Sequence, residues 1–317
     1  MRAFRSLADV PADFGPCVLA IGNFDGVHAG HRQILRRVAV IASERELVPA
    51  VLTFDPHPAR VLAPDRAPKL ISTVSQRLRR MESEGIAAAM LLPFSLELAG
   101  LSPEEFVRTV LVETLRARVV IVGEDFRFGN KQAGDIAALR AFGRQYGFEV
   151  ESAGVILLRG DRISSTAIRK LVTAGEVSRA SRMLGAPFAL EGSVVKGHGI
   201  GSKQTVPTLN LAPENELLPA VGVYVTRTRD LDSVRTWRSI TNVGYRPTFD
   251  GHELSCETFL LDPFDGHTPR RIEVSFLKFV RDERKFDTTE LLRAQILKDV
   301  KFAQRLHGRI DRIRRSG

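Results

Sequence analysis

Two histidines three residues apart, His28 and His31, follow an apolar run in "VLAIGNFDGVHAGHRQIL". Gly22 closes that run, and its missing side chain lets a ligand approach the backbone. The chain then turns through Asn23, Phe24, Asp25 and Gly26, and a helix is expected from near His28. Residues three apart share a helix face, so both imidazoles point the same way from the first turn. The free N–H groups and the dipole at that end favour an anion. Imidazoles beside it donate hydrogen bonds to phosphate oxygens, more strongly when protonated. Gly30, between the two, leaves room for a bulky triphosphate. Other readings stand beside this one. Zinc held by His28, His31 and His57 lacks the HExxH pattern and a nearby cysteine. Packing of two satisfied core rings sits poorly with the flanking glycines. A dinucleotide fold would need the GxGxxG fingerprint, which is missing. Phosphate contact fits best.

Further residues of the same kind lie elsewhere. "VGEDFRFG" carries Asp125, Phe126 and Phe128 to a strand end, where aromatics either wall a planar ring or simply pack. "ISSTAIR" puts Ser164, Ser165 and Arg169 at a helix start, an anion-binding set or an ordinary N-cap with a surface arginine. Asp25 either helps to position phosphates or their Mg²⁺, or is a turn acid. In "VVKGHGIGSKQTVPTLNL", Gly197, Gly199 and Gly201 form a loop able to wrap phosphates with N–H groups, or a hairpin turn. Thr208 and Asn210, two apart on a strand, offer a hydroxyl and an amide oxygen to one face, a plausible pair of Mg²⁺ ligands. By pattern alone Glu257 is one exposed carboxylate on an alternating strand.

The elements that must position these residues follow from periodicity. "CVLAIGNF", "LVPAVLTF", "IAAAMLLPF", "RVVIVGEDF" and "FEVESAGVI" read as buried strands, with helices such as "HRQILRRVAVIASERE" between them. The helix in "SPEEFVRTVLVETLRA" opens with Ser102 as N-cap, Pro103 at its first position and Glu105 completing a capping box. Such alternation predicts a parallel sheet covered on both faces, with ligands beyond the carboxyl ends of its strands. After one helix in "SSTAIRKLVTAGEVSRASRML" the character changes. "FALEGSVVKG", "TLNLA", "GVYVTRT", "RSITNVGY", "ELSCETFLL" and "RIEVSFLKFV" follow without helices, which predicts a small antiparallel barrel. A last helix, Thr288 to Arg305, would pack on it. The expected domains are 1–185 and 186–317, giving α/β followed by β.

Composition bounds the rest. The 317 residues are 44% hydrophobic and 26% charged, which excludes disordered, collagen-like and coiled-coil chains. A net charge of +9 suits a polyanionic partner. The basic residues are dispersed and only 7% of residues are aromatic, so phosphorylated small molecules are expected rather than RNA. Cys17 and Cys256 lie in apolar runs outside any CxxC pair and read as buried reduced thiols. No signal-peptide pattern and no membrane-spanning run occurs, so a cytoplasmic protein without a membrane partner is expected.

"GNFDGVHAGH" resembles the (H/T)xGH signature of the nucleotidyltransferase superfamily, in the form typical of bacterial FAD synthetases. "TFDPHP" (Thr53 to Pro58), "VGEDFRFG" and "ISSTAIR" agree in order. The second half resembles riboflavin kinase: "PTLN" matches PTxN, and "NVGYRPTF" and "CETFLLD" follow in place. The resemblance implies a Rossmann-like HxGH nucleotidyltransferase domain followed by a riboflavin-kinase barrel with a C-terminal helix. It implies a bifunctional enzyme that phosphorylates riboflavin to FMN and adenylylates FMN to FAD, with ATP as co-substrate and Mg²⁺ as cofactor. His28 and His31 would hold the ATP phosphates and stabilise charge at the α-phosphoryl. Gly22, Phe24, Asp25 and Gly30 would line that site, and Ser164, Ser165 and Arg169 would steady the β- and γ-phosphates. Asp125, Phe126 and Phe128 would face the flavin. In the kinase, Gly197, Gly199 and Gly201 would bind ATP, Thr208 and Asn210 would hold Mg²⁺, and Glu257 would be the general base. Ser202 and Thr205 stand where the family carries an Arg and a Gly, and "HTPRR", His267 to Arg271, replaces a Tyr-Gly pair. These departures keep open an adenylyltransferase with a silent barrel, and the positive charge keeps open a basic RNA-binding protein without ATP turnover.

Overall fold

The computed structural model describes residues 1–154, 156–158, 160–195, 208–248, 251–264, 266 and 268–315, with 246–248, 251–254 and 314–315 through the backbone alone. By contacts the chain divides into two units, Met1–Lys69 with Val74–Ser164, and Leu70–Thr73 with Ser165–Gly317.

The first unit is built on strands β1 (Arg2–Phe4), β2 (Cys17–Ile21), β3 (Val48–Phe54), β4 (Ala88–Leu92), β5 (Ala117–Gly123) and β6 (Glu149–Ala153). They pair in parallel in the order β1-β4-β3-β2-β5-β6. β1 was not expected, because three residues with one buried side chain, Phe4, carry no periodic signal. Along β2 the side chains alternate. Cys17, Leu19 and Ile21 join a core with Phe106, Leu111 and Phe128. Val18 and Ala20 join another with Leu35, Val38 and Ile41 of helix α1 (Ala29–Glu44). The sheet is therefore covered on both faces, as its unbroken apolar strands require.

Short helices α2 (Pro58–Leu62) and α4 (Leu96–Gly100) join α3 (Val74–Ser83), α5 (Pro103–Phe106) and α6 (Ile136–Tyr146) around the sheet. The Ser102 hydroxyl accepts from the Glu105 N–H at 3.2 Å, and the Glu105 carboxylate accepts from the Ser102 N–H at 2.8 Å. This capping box stabilises the start of α5 by about 1 kcal/mol. The helix then continues as a π-helical stretch, Val107–Thr114, which no residue type announces. A hairpin of β7 (Leu157–Leu158) and β8 (Asp161–Arg162) closes the unit. The strand order reverses between β2 and β5, so the ligand crevice of such a sheet lies beyond their carboxyl ends.

In the second unit, α7 (Ser165–Thr173) and α8 (Val177–Leu184) replace the single helix expected there. Gly175, at φ 75°, breaks it. Strands β9 (Phe188–Val195), β10 (Thr208–Pro213), β11 (Gly222–Asp230), β12 (Thr236–Thr248), β13 (Gly251–Leu260) and β14 (Arg271–Arg281) form a closed antiparallel barrel in the order β10-β13-β12-β11-β14-β9. Its interior mixes Tyr224, Phe276 and Cys256 with a chain of buried hydroxyls, Thr228–Ser239–Thr226–Thr241–Thr258, joined at 2.7 to 3.0 Å. Outside, Val223, Val225 and Ile240 lie under Ala303 of α9 (Thr289–Arg315), a helix longer than expected. The segment 70–73 is clasped to the same unit. Leu70 N–H donates to Glu216 at 2.9 Å, Leu217 N–H donates to Leu70 O at 3.1 Å, and the Thr73 hydroxyl donates to buried Glu191. Cys17 and Cys256 are both free and buried, and burial pushes each thiol up to about 12. Among the described residues no helix is long and apolar enough to cross a membrane.

Candidate active sites

β2 ends at Ile21, and the chain turns through Asn23–Val27 into α1, whose N-cap is His28. The His28 Nδ1 accepts the His31 N–H at 3.2 Å, so in the neutral ring the proton sits on Nε2. The two imidazoles are stacked, with centroids 3.6 Å apart and planes 13° from parallel, and Phe24 meets His31 edge-on at 5.1 Å. A Cβ on Gly30 would come within 3.1 Å of the His28 ring, and one on Gly22 within 3.3 Å of the Phe24 ring. Both glycines therefore make room for rings of the site itself.

Burial pushes His28 down to about 4; burial first, and then the nearby His28, hold His31 well below the ordinary histidine value. The pair is thus neutral at neutral pH, so the expected strengthening of their hydrogen bonds by protonation is absent from the free site. His28 still offers its Nε2–H, next to the unpaired N–H groups of a helix start. The His31 Nδ1 is buried without a hydrogen bond in the structure. Asp25, within the turn, is only 2% exposed.

The zinc alternative needs three converging ligands. His28 and His31 instead lie face to face, and His57 caps α2, its Nδ1 accepting from the Ala59 N–H at 3.1 Å. Among the described residues no group of three or more His, Cys, Asp or Glu side chains is gathered to hold a metal ion.

Beyond β5, Asp125 is exposed and pairs with Arg162 at 3.1 Å. Phe126 stacks on Phe128 at 5.4 Å and 15°. Phe128 is 7% exposed and belongs to the core beside Phe106, while Phe126 is half-buried above it. Of the two rings, Phe126 is the one a planar ligand can reach. Ser164 closes the first unit; Ser165 opens α7 in the second and Arg169 lies one turn along it.

In the barrel, strand register assembles a row. Asn210 on β10 is directly opposite Glu257 on β13, and Glu257 is directly opposite Asn242 on β12. Opposed residues point to the same face with Cβ atoms about 5 Å apart. Thr208, two residues from Asn210, joins that outer face, while Leu209, Leu211, Cys256 and Thr258 point inward. The Ser255 hydroxyl donates to Glu257 at 3.1 Å, and the Asn242 amide donates to Glu283 at 3.3 Å. The row gathers hydroxyl, amide and carboxylate oxygens, the hard donors that Mg²⁺ prefers. Asn242 was not singled out from sequence; only its register beside Glu257 brings it in. Gly197, Gly199, Gly201, Ser202, Thr205 and His267 lie outside the described residues.

A parallel sheet with a helix-start turn at its switch point, in one chain with a barrel bearing an oxygen-donor row, is an arrangement suited to a two-site transferase. Residues 10–167 match the family model for FAD synthetase and residues 184–307 that for riboflavin kinase. The bifunctional riboflavin kinase/FMN adenylyltransferase of Escherichia coli K12 is 34% identical over 308 residues, 97% of each chain. That of Pseudomonas fluorescens is 34% identical over 96% of this chain and 98% of its own. A Streptococcus pneumoniae crystal structure bearing the name macrolide-efflux protein superposes with a TM-score of 0.84 at 28% identity, covering 95% of this chain and 98% of that one. The chain belongs to the bifunctional riboflavin kinase/FMN adenylyltransferase family.

Proposed function

We propose that the chain converts riboflavin to FMN in residues 186–317 and FMN to FAD in residues 1–185, consuming one ATP at each step. The observation that carries this reading is that the match to bifunctional relatives runs through both sites, over 97% of the chain. Those relatives are more similar in sequence than the structure with the efflux name, at 34% against 28% identity. The partners are small molecules: riboflavin, FMN and ATP. Buried reduced thiols and phosphorylated substrates support a place in the cytoplasm.

In adenylyl transfer a phosphate oxygen of FMN attacks the α-phosphorus, an O–P bond forms, and the bond to the β-phosphate oxygen breaks as pyrophosphate leaves. Catalysis here is positioning and charge stabilisation. His28 donates from Nε2 to a phosphate oxygen, His31 supports it by stacking, and the helix start supplies N–H groups. Gly22, Phe24, Asp25 and Gly30 shape this turn. Ser164, Ser165 and Arg169 hold the outer phosphates, with Arg169 as the cation. Phe126 faces the flavin, backed by Phe128, and Asp125 borders them.

In the kinase, Glu257 accepts the proton of the ribityl hydroxyl as its oxygen bonds to the γ-phosphorus and ADP leaves. The oxygens of Thr208 and Asn210 fit Mg²⁺, which when bound neutralises charge on the phosphates. Gly197, Gly199 and Gly201, outside the described residues, are the residues the resemblance assigns to that ATP.

The test is to incubate the purified chain with riboflavin, ATP and Mg²⁺, and separately with FMN, ATP and Mg²⁺, and to separate the flavins by chromatography. FAD is expected from both. FAD from FMN alone would leave a silent kinase, and FAD from neither would overturn the reading.

A further inference from the structure

We propose that Arg77 and Arg80 of α3 are positioning residues for adenylyl transfer, holding the Asn23–Val27 turn in the shape that presents His28 and the start of α1. The proposal rests on the reading of that turn as the ATP-phosphate site.

The turn needs holding. Phe24 at φ 48°, Gly26 at 79° and Val27 at 43° all lie in the left-handed region. Glycine enters it freely. Phe24 and Val27 do so at a cost, greatest for the β-branched Val27. Such backbone persists only where its surroundings over-determine it. Part of that surrounding is apolar: Phe24 and Val27 are each 1% exposed, packed with Val18, Leu35 and Met81.

The polar part comes from α3. Arg77 is 3% exposed, and its Nη1 donates to the Asn23 carbonyl at 3.2 Å. The same nitrogen lies 3.5 Å from the Phe54 carbonyl and 3.5 Å from the Thr53 hydroxyl, which itself donates to Asn23 O at 3.1 Å. Arg80, three residues on and so on the same helix face, donates to the Gly26 carbonyl at 2.6 Å. Two guanidiniums from one helix thus take carbonyls near both ends of the turn, and Arg77 ties the loop after β2 to the end of β3.

This anchoring suits an anion site in two ways. Free carbonyl oxygens repel phosphate; here those of Asn23 and Gly26 are turned onto cations. In a trans peptide the N–H points opposite its carbonyl, so fixing Asn23 O on Arg77 directs the Phe24 N–H away from α3. A buried cation is also a poor choice for stability alone, since apolar packing usually serves as well. Its carbonyl contacts instead serve the shape of the turn.

The test uses the full chain with Arg77→Gln, Arg77→Lys and Arg80→Gln. Steady-state FAD formation from FMN is measured with ATP varied and with FMN varied, and FMN formation from riboflavin is measured on the same preparations. Both Gln variants are expected to raise KM for ATP about tenfold or more, the loss of a charged hydrogen bond. KM for FMN and the kinase rate should stay within about twofold. Arg77→Lys should recover only part, because one ammonium cannot reproduce a planar fork. If Arg77→Gln fails to fold, judged by circular dichroism and the loss of an unfolding transition, the half-buried Arg80→Gln decides. KM for ATP within about twofold of wild type in the folded variants would overturn the proposal, as would equal rises for ATP and FMN with a lowered Tm. Absence of FAD from the wild type would instead overturn the functional reading beneath it.

Discussion

The His31 N–H is bonded to Nδ1 of the His28 ring on which its own imidazole stacks, at a centroid separation of 3.6 Å. The contact fixes the tautomer of His28 and leaves its Nε2–H as the free donor. Burial opposes the charging of both rings, and the nearby His28 opposes it further at His31.

Acid should therefore destabilise the fold through this pair. The folded value for His28 is about 4, below the ordinary 6.5. Between these the unfolded chain binds the proton and the folded chain does not. Stability contributed by neutral His28 is complete above pH 6.5 and is lost as pH falls toward 4. The slope approaches about 1.4 kcal/mol per pH unit for each such histidine. Denaturant unfolding followed by circular dichroism should show this fall, and His28→Asn, which keeps a capping side chain, should flatten it. Identical pH dependence in the variant would contradict the assignment.

The same residue should separate the two activities. In the proposed role His28→Ala removes a donor to the α-phosphoryl group, and His28 belongs to the first unit, not to the barrel. FMN formation from riboflavin is expected to continue at the wild-type rate. FAD formation should fall by about 10²-fold or more, the usual loss for one preorganised donor. Flavin chromatography reads both at once, and unchanged FAD output would remove His28 from the mechanism.

Features written in neighbouring residues were legible in advance. Ser102, Pro103 and Glu105 announce their helix start because a cap is made within four residues. The switch-point turn was found through Gly22, His28 and His31, whose types are unusual at a strand end. Arg77 and Arg80 were not, because nothing in "VSQRLRRMES" sets one arginine apart from the next and only tertiary packing buries Arg77. The left-handed Val27 could not be read either, since its residue type argues against the conformation it adopts. Asn242 entered its row through strand register, which sequence alone leaves open.

Register also gives the kinase test. Glu257 lies between Asn210 and Asn242 on the outer face, so Glu257→Gln changes charge while keeping shape and ladder. FMN formation should fall by about 10² to 10⁴-fold, the usual worth of a general base, with FAD formation from FMN intact. Asn210→Ala should instead raise the Mg²⁺ concentration that half-saturates FMN formation. Rates measured against Mg²⁺ distinguish the two roles, and a normal FMN rate in Glu257→Gln would show that another group takes the proton.

Phe126 and Phe128 were equivalent in sequence and are not equivalent in the fold. Phe128 is 7% exposed, stacked under Phe126 and packed beside Phe106, and a Cβ on Gly134 would press to 2.7 Å from its ring. Truncating it leaves a cavity in a core that also holds β2 and β5, so Phe128→Ala should cost about 3 to 5 kcal/mol of stability. Phe126 is half-buried, and its open side has only solvent to lose. Phe126→Ala should lower the unfolding midpoint by less than Phe128→Ala does and raise KM for FMN about five- to tenfold, the worth of one aromatic stacking contact. KM for ATP should not follow. Unfolding midpoints and FMN-varied kinetics on the two variants separate the roles, and an unchanged KM for FMN in Phe126→Ala would move the flavin away from this loop.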